Sequence, residues 1–196
     1  MRYLQDLGIA IDDIKVLIFS ELLSSPSVGE LTRQGFVSGW AAHSATTFTT
    51  QKALLNTLVS QLPQPESRAA GGLFRRVYKH TFKIAVPPGS KSLPLEQATE
   101  YWKLLFGKSG AEWKGRGGRP WLQWWIGFSE SNWKKAVNRD LWDQVLLFEE
   151  KTREDESLGW WSEESAWPGV IDEFVAFVKA EKGVGREKDA DAMDVE

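Results

Sequence analysis

Residues 163–175, EESAWPGVIDEFV, decide the fold class of this chain of 196 residues. They are predicted to form a loop followed by the start of a helix, and the apolar residues of that helix are predicted to face the core. Pro168 suits the first helical position, where its missing N–H would have no partner within the helix. Asp172 and Glu173 fall between the apolar positions and are predicted to face solvent. The apolar positions recur at helical spacing and predict a buried face: Val170, Ile171, Phe174, Val175 and Val178.

The same helical spacing recurs along most of the chain, whereas sustained alternation of apolar and polar residues is absent. We therefore predict an all-α fold of about eight short helices, in which Gly8 stops the first and Asn138 caps a later one. Residues 107–120 are glycine-rich and basic, but they lack the GxxxxGK[ST] spacing of a phosphate-binding loop. We predict that they form a flexible insertion. The longer predicted helices are residues 13–24, 50–61, 94–106, 121–135 and 168–181.

The composition excludes several classes of chemistry. Cysteine is absent, and the two histidines, His43 and His80, lie far apart, so neither a disulfide framework nor a zinc site is expected. No calcium-loop, nucleotide-binding or nucleophile–base motif occurs. We expect no cofactor, no metal and no catalytic residue. No apolar run is long enough to cross a membrane and no signal pattern is present, so we expect an intracellular protein of the nucleus, the cytoplasm or both.

The charge is strongly polarised along the chain. Residues 1–138 carry 17 Lys and Arg against 10 Asp and Glu, whereas residues 139–196 carry 7 against 17. The acidic part would steer a basic partner, and its last residues, 183–196, are predicted to be a disordered acidic tail. An alternative function is a nucleic-acid-binding helical module that uses the basic residues of 1–138. The acidic part would repel nucleic acid, so the first interpretation is favoured.

Five runs of sequence together resemble the potentiating-neddylation (PONY) domain of the defective-in-cullin-neddylation family. Their order and spacing fit that domain from residue 1 to residue 181, and the last run is the most specific. The runs are residues 29–40, residues 78–85 with Pro88 and Gly89, residues 101–105, residues 138–142 and residues 165–175.

The resemblance implies two EF-hand-like helical halves without calcium sites, within a domain over residues 1–182 whose first helical unit is truncated. It implies a ligase scaffold that is not itself an enzyme. Such domains hold a cullin and the N-terminally acetylated neddylation conjugating enzyme together and promote transfer of the ubiquitin-like modifier to the cullin. A monomer is expected, with the cullin-associated RING protein as a further partner and with no nucleic acid or membrane.

Two surfaces follow from the resemblance. Asp140, Ala166 and Asp172 match the acidic patch that binds the C-terminal winged-helix region of a cullin. A second set matches the apolar pocket for the acetylated N-terminal methionine of the conjugating enzyme. In that pocket Ile11 and Val28 replace the family's usual Pro and Gln. The set is Ile11, Val16, Phe19, Ser20, Leu23, Val28, Gly29, Leu31, Ile84 and Leu104.

Overall fold

The computed structural model describes residues 2–162 and 164–185. The chain divides into two compact units, Met1–Glu112 and Trp113–Glu196. Both units are built from helices, which confirms the predicted all-α class. The strands of the described residues are only two residues long, β1 at Ser92–Leu93 and β2 at Val137–Asn138. The EF-hand-like pairing of helices stays a prediction.

The first unit contains seven helices within its described residues, and two of them begin at threonine caps. The Thr32 hydroxyl accepts the N–H of Gly35 at 3.0 Å, and Thr47 and Thr50 form a reciprocal capping box. Such caps satisfy backbone donors that the first helical turn leaves unpaired. The helices are α1 (Arg2–Asp6), α2 (Lys15–Leu22), α3 (Arg33–Ala42), α4 (Phe48–Gln61), α5 (Pro65–Arg68), α6 (Leu73–Ala85) and α7 (Leu95–Phe106).

The core of the first unit lies where α2 packs against α4 and α6. Phe74 and Tyr78 on α6 stack near Phe106 on α7, with ring centroids 5.8 and 5.4 Å from that ring. The Trp102 indole N–H donates to the Tyr78 hydroxyl at 3.2 Å, so these two buried aromatic side chains also form a hydrogen bond with each other. This aromatic cluster ties α7 to α6.

Two glycines let α3 approach the end of α2. A Cβ at Gly35 would lie 2.2 Å from the Leu23 carbonyl oxygen, and one at Gly39 would lie 2.6 Å from the Leu22 carbonyl oxygen. Real side chains do not tolerate such distances, so the backbone contact requires glycine at both positions. The contact holds the segment between α2 and α3 close to α2.

The second unit contains three helices within its described residues: α8 (Trp121–Phe128), α9 (Arg139–Glu154) and α10 (Gly169–Lys182). The helix predicted over 121–135 is α-helical only to Phe128. It continues as one π-helical turn over Ser129–Trp133 and ends at Lys134, which has a φ of 55°. Phe174 on α10 is fully buried and lies 5.1 Å from the Trp125 ring and 5.7 Å from the Phe148 ring. Helix α10 is therefore anchored in an aromatic core.

The glycine-rich loop, predicted to be a flexible insertion, is instead held by a single buried carboxylate. Glu156 accepts the backbone N–H groups of Gly117 and Arg119 and the indole N–H of Trp121, the last at 2.8 Å. The Arg119 guanidinium also donates to the Glu156 carbonyl oxygen at 2.7 Å. A Cβ at Gly115 would lie 2.3 Å from the Glu156 side chain, so glycine leaves the space that this carboxylate occupies.

The end of α10 involves the beginning of the predicted tail. Gly183 takes a φ of 67°, and the N–H of Val184 then donates to the Val178 carbonyl oxygen at 3.4 Å. Val184 is buried. From residue 186 onward the predicted disordered tail lies outside the described residues.

Candidate functional site

The first residue of the predicted acidic patch is positioned by a helix cap. Asn138 accepts the N–H of Leu141 at 2.8 Å and begins α9, as predicted. Asp140 therefore lies in the first turn, where the helix dipole stabilises a carboxylate. Its side chain is exposed, and it has neither a hydrogen bond nor an ion pair with another described residue. Its charge is therefore available to a partner.

Helix α10 presents the second aspartate. Pro168, predicted to be the first helical residue, instead precedes the helix, and its carbonyl oxygen accepts the N–H of Ile171 at 2.7 Å. Asp172 lies in the first turn and is half-buried. The Trp161 indole N–H donates to Asp172 Oδ1 at 3.1 Å, and Lys179 Nζ lies 4.4 Å from the centroid of the Trp161 ring. Trp161 thereby fixes the orientation of the carboxylate.

The starts of α9 and α10 meet at an open pocket of about 210 Å³. Its lining comes from Trp133, Asn138, Asp140 and Leu141 on one side and from residues 168–170 on the other. The structure thus brings Asp140 beside the beginning of the helix that carries Asp172. The third residue of the predicted patch, Ala166, is exposed in the loop just before this helix.

Trp161 and Trp133 are the residues that the sequence reasoning missed here. Trp161 had a signal, because a tryptophan in a polar loop is unusual unless its indole N–H finds a hydrogen-bond partner. Trp133 had none, since it stood within the helix predicted over 121–135. The sequence does not reveal which of the paired tryptophans, Trp160 or Trp161, contacts Asp172. The Trp160 indole N–H instead donates to the Asp155 carbonyl oxygen at 2.9 Å.

The second predicted surface lies in the first unit, and its residues differ in how deeply they are buried. The packing of α2 against α6 brings four buried members into one region, while Val16 and Leu104 are half-buried and Gly29 is exposed with a φ of 80°. Ile11, Val28 and Leu31 are exposed by 69%, 54% and 40%. Exposed apolar residues that lie together mark docking surfaces, whereas single ones are ordinary on a protein surface, so the apolar pocket stays a prediction. The four buried members are Phe19, Ser20, Leu23 and Ile84.

His80 on α6 lies beside this surface. Burial lowers the pKa of the His80 imidazole, and Lys83 lowers it further, whereas Glu21 and a hydrogen bond to the Ser20 backbone raise it. The net shift is downward, so the folded protein favours the neutral imidazole.

Two of the basic residues of 1–138, on which the nucleic-acid alternative rests, are arginines of α6 that form bonds within the chain. Arg76 Nε lies 2.8 Å from Glu21 Oε1, and its guanidinium also donates to the Gly71 carbonyl oxygen at 2.9 Å. The Arg75 guanidinium donates to the Arg68 carbonyl oxygen at 3.1 Å. These two arginines therefore stabilise the fold of the first unit.

Across residues 2–162 and 164–185, no group of three or more His, Asp or Glu side chains is arranged to hold a metal ion. Within the same residues, no helix combines the length and the hydropathy that crossing a membrane requires.

Residues 50–177 match the family model described as cullin binding. The chain belongs to this cullin-binding family. Two relatives named "Defective in cullin neddylation protein 1" extend the likeness over most of the chain. The protein of Pyricularia oryzae is 33% identical over 94% of this chain and 67% of its own length. That of Yarrowia lipolytica is 32% identical over 91% of this chain and 69% of its own length.

The family match confirms the resemblance that the sequence runs indicated. Its span includes α9, the pocket and most of α10. Asp140, Ala166 and Asp172 therefore all lie within the matched part of this cullin-binding chain, whereas Ile11, Val28 and Leu31 lie before it.

Proposed function

We propose that this chain binds a cullin through Asp140, Ala166 and Asp172 and takes part in cullin neddylation. The observation that carries the proposal is the meeting of two acidic helix starts at one pocket, inside the segment that matches the cullin-binding model. Asp140 is exposed and has no partner in the part of the chain that the structure describes, and Asp172 is held in place by Trp161. A carboxylate that is already oriented, as that of Asp172 is, loses little entropy when it binds a cation.

The partner surface is the basic C-terminal winged-helix region of the cullin. The excess of acidic over basic residues in 139–196 adds long-range steering toward such a surface. The names of the relatives connect their own proteins with cullin neddylation, and the common family supports the same role here.

The chain acts as a non-catalytic ligase scaffold in this proposal. The exposed Ile11, Val28 and Leu31 around α2 would receive the acetylated N-terminus of the conjugating enzyme, which is an amphipathic helix entering an apolar groove. The cullin-associated RING protein would complete the assembly around a monomeric chain. The nucleus, the cytoplasm or both are the expected locations.

Cullin binding is tested by calorimetry with the 196-residue chain and the winged-helix domain of a cullin. Asp172→Lys should weaken binding at least ten-fold, or about 1.4 kcal/mol, because it replaces an oriented carboxylate by a repelling cation. Glu173→Lys is the matched control, since it makes the same charge change on the exposed neighbouring residue. Equal losses in both variants would leave only general steering, and unchanged affinity in Asp172→Lys would refute the patch.

The scaffold role is tested with the N-terminal peptide of the conjugating enzyme, with and without its acetyl group. Only the acetylated peptide should bind, and Val28→Asp should abolish binding because it puts a charge in the groove. Val37→Asp is the control, since Val37 is an apolar residue of the same unit with a similar exposure, 58% against 54%. Equal binding of the two peptides would exclude acetyl recognition.

A further inference from the structure

The glycine-rich loop carries two basic side chains that the fold of the second unit does not use. Lys114 and Arg116 are exposed on either side of the buried Gly115. Neither forms an ion pair or a hydrogen bond with another residue that the structure describes, whereas the Arg119 guanidinium donates to the Glu156 carbonyl oxygen. Two cations without a counter-ion favour an anionic ligand.

The backbone under these cations is fixed at three points. Trp113 is buried, and its indole N–H donates to Thr152 Oγ1 at 2.8 Å. A turn follows, closed by the N–H of Gly118, which donates to the Gly115 carbonyl oxygen at 3.1 Å. The carboxylate of Glu156 then holds the end of the loop. Binding groups on a fixed backbone lose less conformational entropy when a ligand arrives than groups on a mobile one.

The described part of the chain ends beside this loop. Gly185 has a φ of 85°, and a Cβ built on it would lie 3.4 Å from the Ser157 carbonyl oxygen. Ser157 directly follows Glu156, whose side chain holds the loop. An extended chain covers about 3.3–3.6 Å per residue, so residues 186–196 include enough chain to reach the two cations.

The segment that follows Gly185 has a charge opposite to that of the loop. Residues 186–196, REKDADAMDVE, carry five acidic side chains and two basic ones. A segment of the same chain meets the loop at an effective concentration on the order of millimolar. One exposed ion pair contributes only about 0.2–1 kcal/mol, so the contact needs several carboxylates and both cations at once. It is therefore expected to weaken as salt screens the charges.

We propose that the acidic segment 187–196 binds the glycine-rich loop of the same chain. Its carboxylates pair with Lys114 and Arg116. The contact covers the two cations and so reduces binding of acidic segments from other molecules. It involves none of the residues proposed to bind the cullin and does not rest on that function.

The contact is tested by NMR in the full chain, which contains no cysteine. A nitroxide label attached to Ala190→Cys broadens the amide signals of nearby residues. At low salt, the amide signals of residues 114–118 should lose at least half of their intensity relative to the diamagnetic form of the label. Raising the salt to about 1 M, where the Debye length falls to about 3 Å, should restore them.

Two double variants test whether the loop cations hold the segment. Lys114→Gln combined with Arg116→Gln should restore the loop signals at low salt. Lys135→Gln combined with Arg139→Gln is the matched control, because it removes the same charge from exposed residues of the same unit, and there the signals should stay broadened. Full intensity in the otherwise natural chain at low salt, or the same result in both double variants, would overturn the inference. So would broadening that arises only between labelled and unlabelled copies in a mixed sample, because the occupant would then be the segment of a second copy.

A competition experiment uses the segment as a separate ligand. Asp189→Asn, Asp191→Asn and Asp194→Asn together remove most of the acidic charge of the attached segment. A synthetic peptide with the sequence of residues 186–196 should bind this triple variant at least five-fold more tightly than it binds the natural chain, as measured by fluorescence anisotropy at low salt. Equal affinities would show that the loop is not covered. Single-stranded DNA that binds the natural chain as tightly as the triple variant, and only through the two loop cations, would assign the loop to nucleic acid and likewise contradict the proposal.

Discussion

The strongest stability prediction concerns Glu156, which is only 9% exposed and holds the glycine-rich loop in place. Replacing it by alanine removes the acceptor for three donors: two backbone N–H groups and the indole N–H of Trp121. Trp121 is fully buried, so its orphaned donor cannot reach water and costs about 1–3 kcal/mol. Gly117 and Arg119 are more accessible, and losing their bonds to a charged acceptor adds about 1–2 kcal/mol in total.

We therefore expect Glu156→Ala to lower the free energy of unfolding by about 2–5 kcal/mol. Glu156→Gln should lose less, because an amide oxygen at the Oε1 position can still accept the N–H groups of Trp121 and Arg119, whereas its NH₂ group cannot accept that of Gly117. Urea denaturation followed by tryptophan fluorescence measures both values, with the dependence on urea concentration checked for two-state behaviour.

Glu154→Ala is the control for this prediction, because Glu154 is exposed two residues earlier in the same acidic segment. That substitution should change stability by less than about 0.5 kcal/mol. If Glu156→Ala stayed within about 1 kcal/mol of this control, the carboxylate would not be what holds the loop, and the loop would have to be stabilised by other contacts.

Three further predictions concern residues in or beside the two predicted surfaces, one for cullin binding and two for stability. Trp161→Phe should weaken cullin binding three-fold or more, because it removes the hydrogen bond to Asp172. Trp160→Phe should leave the affinity unchanged, because the Trp160 indole donates to another acceptor. Equal losses of affinity in the two variants, measured by calorimetry, would contradict the role of Trp161 in positioning Asp172. Asn138→Ala should lower stability by about 1 kcal/mol in urea denaturation, because the cap of α9 is lost, and an unchanged midpoint would refute the cap. The lowered pKa of His80 predicts that the free energy of unfolding falls as the pH drops below the ordinary histidine pKa of 6.5, because the unfolded chain then binds more protons. Denaturation at pH 7.5 and 5.5 should show this decrease, and His80→Gln should make it smaller.

Local signals in the sequence predicted much of this fold. Hydrophilic caps and stop signals act within one turn of chain, so Thr32 and Asn138 begin helices, and Gly8 ends one with a φ of 71°, without help from distant residues. The buried stripe of α10 was also predicted correctly. Periodicity is less reliable where the apolar run is broad. Leu147 on α9 lies in such a run but is 40% exposed, because its neighbours Leu146 and Phe148 already occupy the core-facing side.

The remaining features depend on contacts between residues far apart in sequence. The hydrogen bonds of Glu156 to the glycine-rich loop join residues more than 30 positions apart, so the sequence of the loop by itself predicted flexibility. The pocket beside Asp140 likewise exists only because the starts of α9 and α10 meet. The family resemblance supplied the three residues of the patch, but neither the walls of the pocket nor the contact of Trp161 with Asp172 follows from a motif.

The position of the acidic residues explains how the chain can keep an exposed carboxylate, unpaired within residues 2–162 and 164–185, without a large loss of stability. Asp140 and Asp172 each lie in the first turn of a long helix, where the helix dipole offsets the cost of a negative charge by about 0.3–1 kcal/mol. A cullin would then meet carboxylates that the fold itself tolerates. The same argument means that charge reversal at either residue also destabilises its helix, by about twice this amount, because a favourable charge is replaced by an unfavourable one. A lower unfolding free energy reduces the apparent affinity only through the fraction of unfolded chain. A loss of binding in Asp172→Lys therefore counts as evidence for the interface when urea denaturation shows that the variant is still folded under the conditions of the binding assay.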